Sequence, residues 1–486
     1  METTAQTTFQ NDFTHKNDSV HSKNGQFKLR NGTEYKMQYG VEGPKGALVL
    51  DGYSAQDVAR AMIEKGGQAE TFYLLDMDEI YRRIQHLKKM MPRVQIFYAM
   101  KANDWDLILK LVVSLGTGFD CASPCEIHKI TQLNVNPQSI IFAIPTKTKE
   151  WMTFARESGV KHTTFDSSYE LKKLKQHWPD AKLLIRIRVD GECTYKLGEK
   201  FGCYDTEAID LLEEAATLGL SVVGVAFHVG SVCTSSDSYE MGLKRAKGLF
   251  EHEAKAGRHM KIVDIGGGFQ SDCIDRIDEI AKLVNKTLDE LFPDSDIQVI
   301  AEPGRYVCDS AVTQYNSINN IRRSTSPGEN LNMIYINDGF HGTLHYVEPW
   351  QTVELYSPKQ QKQNDNSQQD EKAEEVILWG PTCDSFDRVM KDYKVKLPPC
   401  SPTDWLIHHV QGAYTWTFAG PFSSVPIPFA RAVISKELWT KLKDCPVFGK
   451  SDFVVNPDIS APLSSSLPPL HKTREFNKQL NTPALI

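Results

Sequence analysis

The sequence is short of several features that would settle its class at once. Its ten cysteines include no CxxC pair, which speaks against a zinc ribbon, a dithiol redox centre or a disulfide-stapled secreted domain, and fits reduced thiols. No HExxH and no Cys/His metal spacing occurs, so no metal site is expected. GxxxxGK[ST] is missing, which excludes a P-loop nucleotide site. No apolar run approaches the ~18–20 residues of a membrane span. Residues 1–25 are polar and hold no apolar signal core, so the cytoplasm is the expected compartment. Positive charge is not in excess: 55 Lys and Arg face 62 Asp and Glu, a net charge of −7. That balance argues against nucleic acid as the main partner but leaves room for one small anionic ligand.

Hydrophobic residues reach 41% of the 486 residues, enough for a sizeable core and for two or three domains. Three stretches are rich in polar residues, Ser and Pro and are predicted to be loose: an N-terminal tail over 1–26, a loop over 357–375, and a Pro/Ser-rich tail from about 456. Between 77 and 311 short β-rich runs alternate with amphipathic helical segments. The runs are VQIFYAMK, GFDCA, SIIFAI, HTTFD, KLLIRIRV, VVGVAFHV, KIVDIG and IQVIAEP. Eight such units in series favour a (β/α)8 TIM-type barrel over a doubly wound sheet. Ser123-Pro124-Cys125-Glu126 predicts a capping box at one helix start. Residues 27–76 and 312–486 carry β-rich runs broken by Gly and Pro. They predict a mostly β C-terminal domain completed by the N-terminal segment.

Barrel enzymes place their chemistry at the C-terminal ends of the strands. Those ends hold Lys101, Asp120, Arg186, His228, Ser231, Asp264, Gly266, Gly267, Gly268, Glu302 and Arg305. Taken singly, a histidine or a glycine triplet there is more often structural than functional. A lysine following IFYAM is more telling, because a barrel mouth solvates it poorly. The loops after strands 7 and 8 are the usual phosphate site of such barrels, and here they offer the N–H groups of Gly266–Gly268 and the Arg305 guanidinium. Lysine, phosphate cradle and buried carboxylate together point to pyridoxal phosphate. IGGGF lacks the GxGxxG spacing and comes at the seventh strand, so a dinucleotide fingerprint does not apply.

FYAMKAN, LGTGFDCAS, FHVGSVCT, DIGGGF, AEPGRYV, WGPTCDSFD and GAYT stand in an order and spacing that resembles eukaryotic ornithine decarboxylase. The wider group is the alanine-racemase-fold (fold type III) pyridoxal phosphate-dependent decarboxylases. The resemblance runs from about 28 to 440, and GPTCD sets the chain apart from the diaminopimelate decarboxylase branch. It implies that Lys101 carries the cofactor, Glu302 pairs with its ring nitrogen and His228 stacks on its ring. Ser231, Gly268, Arg305 and Tyr414 would bind the phosphate. Asp120, Glu126 and Arg186 would support the ring and the lysine. Cys383 and Asp384 would come from the second subunit of a head-to-tail homodimer, with Cys383 returning a proton to the α-carbon.

One stretch departs from the family pattern. After Asp338-Gly339 the family supplies a Tyr-Asp pair whose aspartate binds the distal ammonium of ornithine; here those positions hold Pro349 and Trp350. Glu348 lies beside them, and the asparagine following GAYT is replaced near Ser423, next to Phe422. Loss of a charged acceptor discriminates strongly against a substrate that needs it. The expected activity is therefore decarboxylation of an amino acid other than ornithine, with specialised metabolism such as alkaloid synthesis as a setting. The alternatives are an ornithine or lysine decarboxylase of polyamine synthesis, with Glu348 doing the aspartate's work, and an inactive binding protein resembling antizyme inhibitors.

Overall fold

The computed structural model describes residues 26–28, 34–36, 45–270, 274–326, 329–347, 351–358, 373–420 and 422–463. The tail predicted over 1–26, except for Gln26, and most of the 357–375 loop lie outside these.

Eight parallel strands close into a barrel: β1 (Val94–Ala99), β2 (Gly118–Cys121), β3 (Ile140–Phe142), β4 (His162–Phe165), β5 (Lys182–Arg188), β6 (Ser221–His228), β7 (Ile262–Asp264) and β8 (Gln298–Ala301). Closure is by β8 on β1, where Val299 pairs with Val94 and Ala301 with Ile96. Side chains on a strand alternate faces, and that period of two builds the site. Phe97, Ile141, Leu184, Ala226, Ile262 and Ile300 pack together as the plug of the barrel. Two residues further along, on the same inner face, stand Arg186 after Leu184, His228 after Ala226, Asp264 after Ile262 and Glu302 after Ile300. Gly118 leaves space for the Phe97 ring, which a Cβ there would meet at 2.7 Å, and Asp120 follows it two residues on. The interior is thus apolar below and charged at the mouth.

A much larger apolar layer lies between the strands and the helices around them, with Tyr98, Phe119, Phe142, Phe165 and Phe227 almost fully buried. Among the described residues no helix is long and apolar enough to cross a membrane.

The second domain is a sheet assembled from both sides of the barrel segment. Strand Val312–Ser326 leaves the barrel and pairs with Phe72–Asp76, Trp405–His408 and Glu329–Ile336. Phe429–Ser435 joins Phe72–Asp76 to Ala47–Leu50. The tail predicted to be loose from 456 is held at least to Leu463. The Leu463 N–H donates to Gln68 at 2.6 Å, the Ala461 carbonyl accepts from Arg431 at 2.6 Å, and Leu463 is buried. Two backbone groups, with Ile459 and Leu463 against the sheet-domain core, do the anchoring.

Candidate active site

The barrel mouth opens on a cavity of about 620 Å³. Lys101 reaches into it from the short 3-10 turn Met100–Ala102 that ends β1, and its ammonium pairs with Asp120. Burial works against the charged lysine, but Asp120 and Glu302 outweigh it and hold the pKa above the usual lysine range. The Glu302 carboxyl is pushed well above its ordinary range, first by burial, then by Asp120 and Asp264. Asp264 shares a hydrogen bond with Glu302, accepts the Gly266 N–H at 2.8 Å, and is raised by burial to about 7.

Glu126 arrives from helix Pro124–Thr131. Ser123 caps that helix by accepting the Glu126 N–H at 3.2 Å. The expected box closes differently: the Glu126 carboxylate takes the N–H of Ala122 at 2.6 Å, one residue before the cap. This turns Glu126 inward, where burial raises its pKa to about 7.

His228, at the end of β6, accepts the Gly230 N–H on Nδ1 at 3.1 Å, so its remaining N–H is on Nε2. Burial, then Arg186 and Lys101, hold its pKa well below the ordinary histidine value. It therefore faces the cavity as a neutral ring. Gly266 and Gly268 have φ of +65° and +104°. A Cβ on Gly268 would sit 2.6 Å from the Gly230 carbonyl, and one on Gly267 would sit 3.0 Å from His228 Nε2. Side chains would fill this cradle. Ser231 faces Tyr195 across a two-stranded ribbon, and both line the cavity.

Arg305 is placed by Asp309, 3.0 Å from its Nη1, and its guanidinium lies 5.0 Å from the centre of the Tyr414 ring. Tyr414 comes from the sheet domain. Asn103 donates to the Gly412 carbonyl at 2.8 Å, and Tyr414 N–H donates to the Ala102 carbonyl at 2.9 Å. Both strand-end residues directly follow Lys101, so the same turn that presents the lysine fastens the second domain.

Of the buried polar atoms without a hydrogen-bond partner among the described residues, three gather at this site: Asp120 Oδ1, Glu302 Oε1 and Arg305 Nε. A carboxylate waiting for a proton-bearing ring nitrogen, a guanidinium and glycine N–H groups waiting for a phosphate, and a lysine between them fit pyridoxal phosphate. Lys101, His228, Ser231, Gly267, Gly268, Glu302, Arg305 and Tyr414 all line the one cavity, with Arg186; Asp120 and Glu126 support Lys101 from beneath, and Gly266 turns the backbone behind.

Cys383 and Asp384 are not among the residues lining this cavity; Cys383 is exposed. Asp384 holds His341, Nε2 to Oδ2 at 2.6 Å, and the His341 ring stacks on Phe422 with centres 4.4 Å apart. Ser423 follows Phe422 at φ +54°. Glu348, Pro349 and Trp350 lie outside the described residues. Sequence reasoning missed His341 and an aromatic wall of Tyr195, Tyr346 and Phe418, with Tyr346 and Phe418 rings 4.9 Å apart. His341 and Tyr346 sit in turns, Phe418 in a single 3-10 turn and Tyr195 at the end of a three-residue strand, all too short for a period to mark them.

The pyridoxal binding domain of pyridoxal-dependent decarboxylases matches residues 77–309, and the C-terminal sheet domain of the same enzymes matches 305–412. Ornithine decarboxylase of Mus pahari is 35% identical over 417 residues, covering 82% of this chain and 88% of the mouse protein. Antizyme inhibitor 2 of Xenopus laevis is 35% identical over 391 residues, covering 77% and 84%. The crystal structure of the Paramecium bursaria Chlorella virus arginine decarboxylase bound to agmatine superposes with a TM-score of 0.72 at 30% identity, covering 78% of this chain and all of the viral one. The chain belongs to the pyridoxal phosphate-dependent decarboxylases of the ornithine, arginine and lysine decarboxylase family, with the closed barrel and separate sheet domain of that family.

Proposed function

We propose that this decarboxylase releases CO2 from an α-amino acid whose side chain is larger or less simply cationic than that of ornithine, giving the corresponding amine. The observation that carries this reading is the state of Asp384. The carboxylate that the resemblance assigns to substrate recognition already holds an imidazole at 2.6 Å. Trp350 stands where the family's other acidic acceptor would be. The cavity lining itself carries five cationic side chains, at Lys101, Arg186, Lys196, Lys200 and Arg305, against the carboxylates of Glu199 and Glu302. Such a lining suits a phosphate and a substrate carboxylate better than a second ammonium.

Pyridoxal phosphate supplies the electron sink that makes loss of CO2 possible. The chain's own groups do the rest. Lys101 would hold the cofactor. Glu302 would keep a proton at the ring nitrogen through its Oε1. Neutral His228 would flank the ring and bring no charge of its own. Arg305 and the glycine cradle would hold the phosphate. Cys383 and Asp384 serve the cavity of a second copy in a head-to-tail homodimer, where Cys383 returns a proton to the α-carbon. This accounts for their absence from the cavity of their own protomer.

Similarity to an antizyme inhibitor raises a second reading, a binding protein without turnover. The gathering of unpaired buried atoms of Asp120, Glu302 and Arg305 around one cavity weighs against it, because polar groups left unpaired together cost stability unless a bound group satisfies them. Release of CO2 by the purified holoenzyme from ornithine, lysine and a broad amino-acid panel tests the proposal. The expected result is a best substrate other than ornithine. Fast ornithine turnover at low KM would overturn it, and no release from any amino acid together with no cofactor absorbance would favour the binding protein.

A further inference from the structure

His341 is clamped from three sides. Its Nε2 meets Asp384 Oδ2 at 2.6 Å, its ring stacks on Phe422, and its backbone N–H donates to Asp387 Oδ1 at 3.4 Å. The Phe340 ring packs edge-on at 5.5 Å, and His345 lies beyond it, 4.2 Å from Phe340. Asp384 has its other oxygen on the Phe386 N–H at 3.2 Å. That bond first, and His341 next, hold the Asp384 carboxyl below its usual range, so it is charged at neutral pH. The titratable groups around the pair are thus Asp384 and Asp387 on the 381–387 loop and His345 on the turn of His341. The described part of the 416–424 loop brings aromatic and small residues without charge. Protonation of one imidazole decides whether the pair carries a full negative charge or none.

We propose that His341 is a specificity-determining residue: paired with Asp384, it sets the charge offered to the end of the substrate side chain, so that acceptance of a distal ammonium rises with pH while acceptance of a neutral side chain does not. The inference rests on the reading above, in which the Cys383–Asp384 segment completes a substrate site. With a neutral imidazole the pair attracts an ammonium. With an imidazolium Asp384 is already neutralised, and a second cation is repelled. The imidazole is held by Asp384 and the Phe422 ring too firmly to swing away.

Cadaverine and pentylamine test it in the assembled holoenzyme. They differ at the far end of one five-carbon chain, ammonium against methyl, and neither carries a carboxylate to lose. Their dissociation constants are read from the change in cofactor absorbance between pH 6 and 8.5, where the distal ammonium stays charged. The expected preference for cadaverine rises on the order of tenfold across this range, equal to one unit of differential protonation. In His341→Gln, which keeps an N–H donor for Asp384 but cannot ionise, the preference is flat with pH. In Asp384→Asn it is low and flat. A preference that is flat in the native protein, or that rises equally in His341→Gln, overturns the role of His341. A preference unchanged by Asp384→Asn at every pH overturns the underlying placement of the segment at the substrate.

Discussion

Replacing Lys101 by alanine removes the amine and also strips Asp120 of its ion partner. Turnover should fall by at least about a thousandfold with loss of the nucleophile. An uncompensated buried carboxylate should cost about 3–5 kcal/mol of stability. Lys101→Arg separates the two effects: it restores most of the stability and none of the activity, as thermal unfolding and CO2 release would show. A second prediction concerns protons. Asp264 and Glu126, raised by burial to about 7, and Glu302, raised well above its ordinary range by burial, bind protons more tightly folded than unfolded. Their contribution is complete below the ordinary carboxyl range near about pH 4 and is lost as pH rises through about 7. The cofactor-free protein should therefore lose stability across that window, by up to about 1.4 kcal/mol per proton per pH unit. Denaturant melts at a series of pH values would show a flat or rising trend if these carboxyls are not buried together. At this scale most of the site was legible, because Lys101, Asp120, His228 and Glu302 sit at strand ends where a barrel must put its chemistry. His341 was not, since a histidine in a turn looks the same whether it faces water or an aspartate 43 residues away.

The elements carry the site by simple periodicities. The strand runs alternate, so the residue two places beyond each plug residue has to enter the mouth, and all eight runs form the closed barrel. The helix start at Ser123 was readable as a cap, yet the direction of the Glu126 carboxylate was not. It takes the N–H of Ala122, just after β2, instead of that of the cap residue. The glycine loop after β7 offers a sharp test. Gly268→Ala puts a Cβ against the Gly230 carbonyl at φ +104°. Strain of about 1–3 kcal/mol is expected, with cofactor affinity weakened about tenfold or more. Titration of the cofactor-free protein measures this, and unchanged affinity would show that the loop does not touch the phosphate.

For the whole molecule, the sheet domain is joined to the barrel by the turn that presents Lys101, and residues from before and after the barrel share one sheet. The β-rich runs were visible in the sequence. Their order in the sheet was not, because pairing of Phe429–Ser435 with Phe72–Asp76 joins segments too far apart for local patterns to specify. If the sites are shared in a head-to-tail dimer, inactive Lys101→Ala and Cys383→Ala chains should regain activity on mixing. Half of a random mixture would be heterodimers with one intact site each, so recovery should approach about a quarter of the native value. No recovery after subunit exchange would place Cys383 outside a shared site.

The choice of substrate is tested most directly by competition. The holoenzyme is given ornithine, lysine, arginine and the common amino acids together at equal concentration, and the amines formed are measured by mass spectrometry. An amine other than putrescine should dominate from the first time point. Putrescine as the dominant product would mean that the site still selects the short side chain and distal ammonium of ornithine, and the proposed substrate class would be wrong.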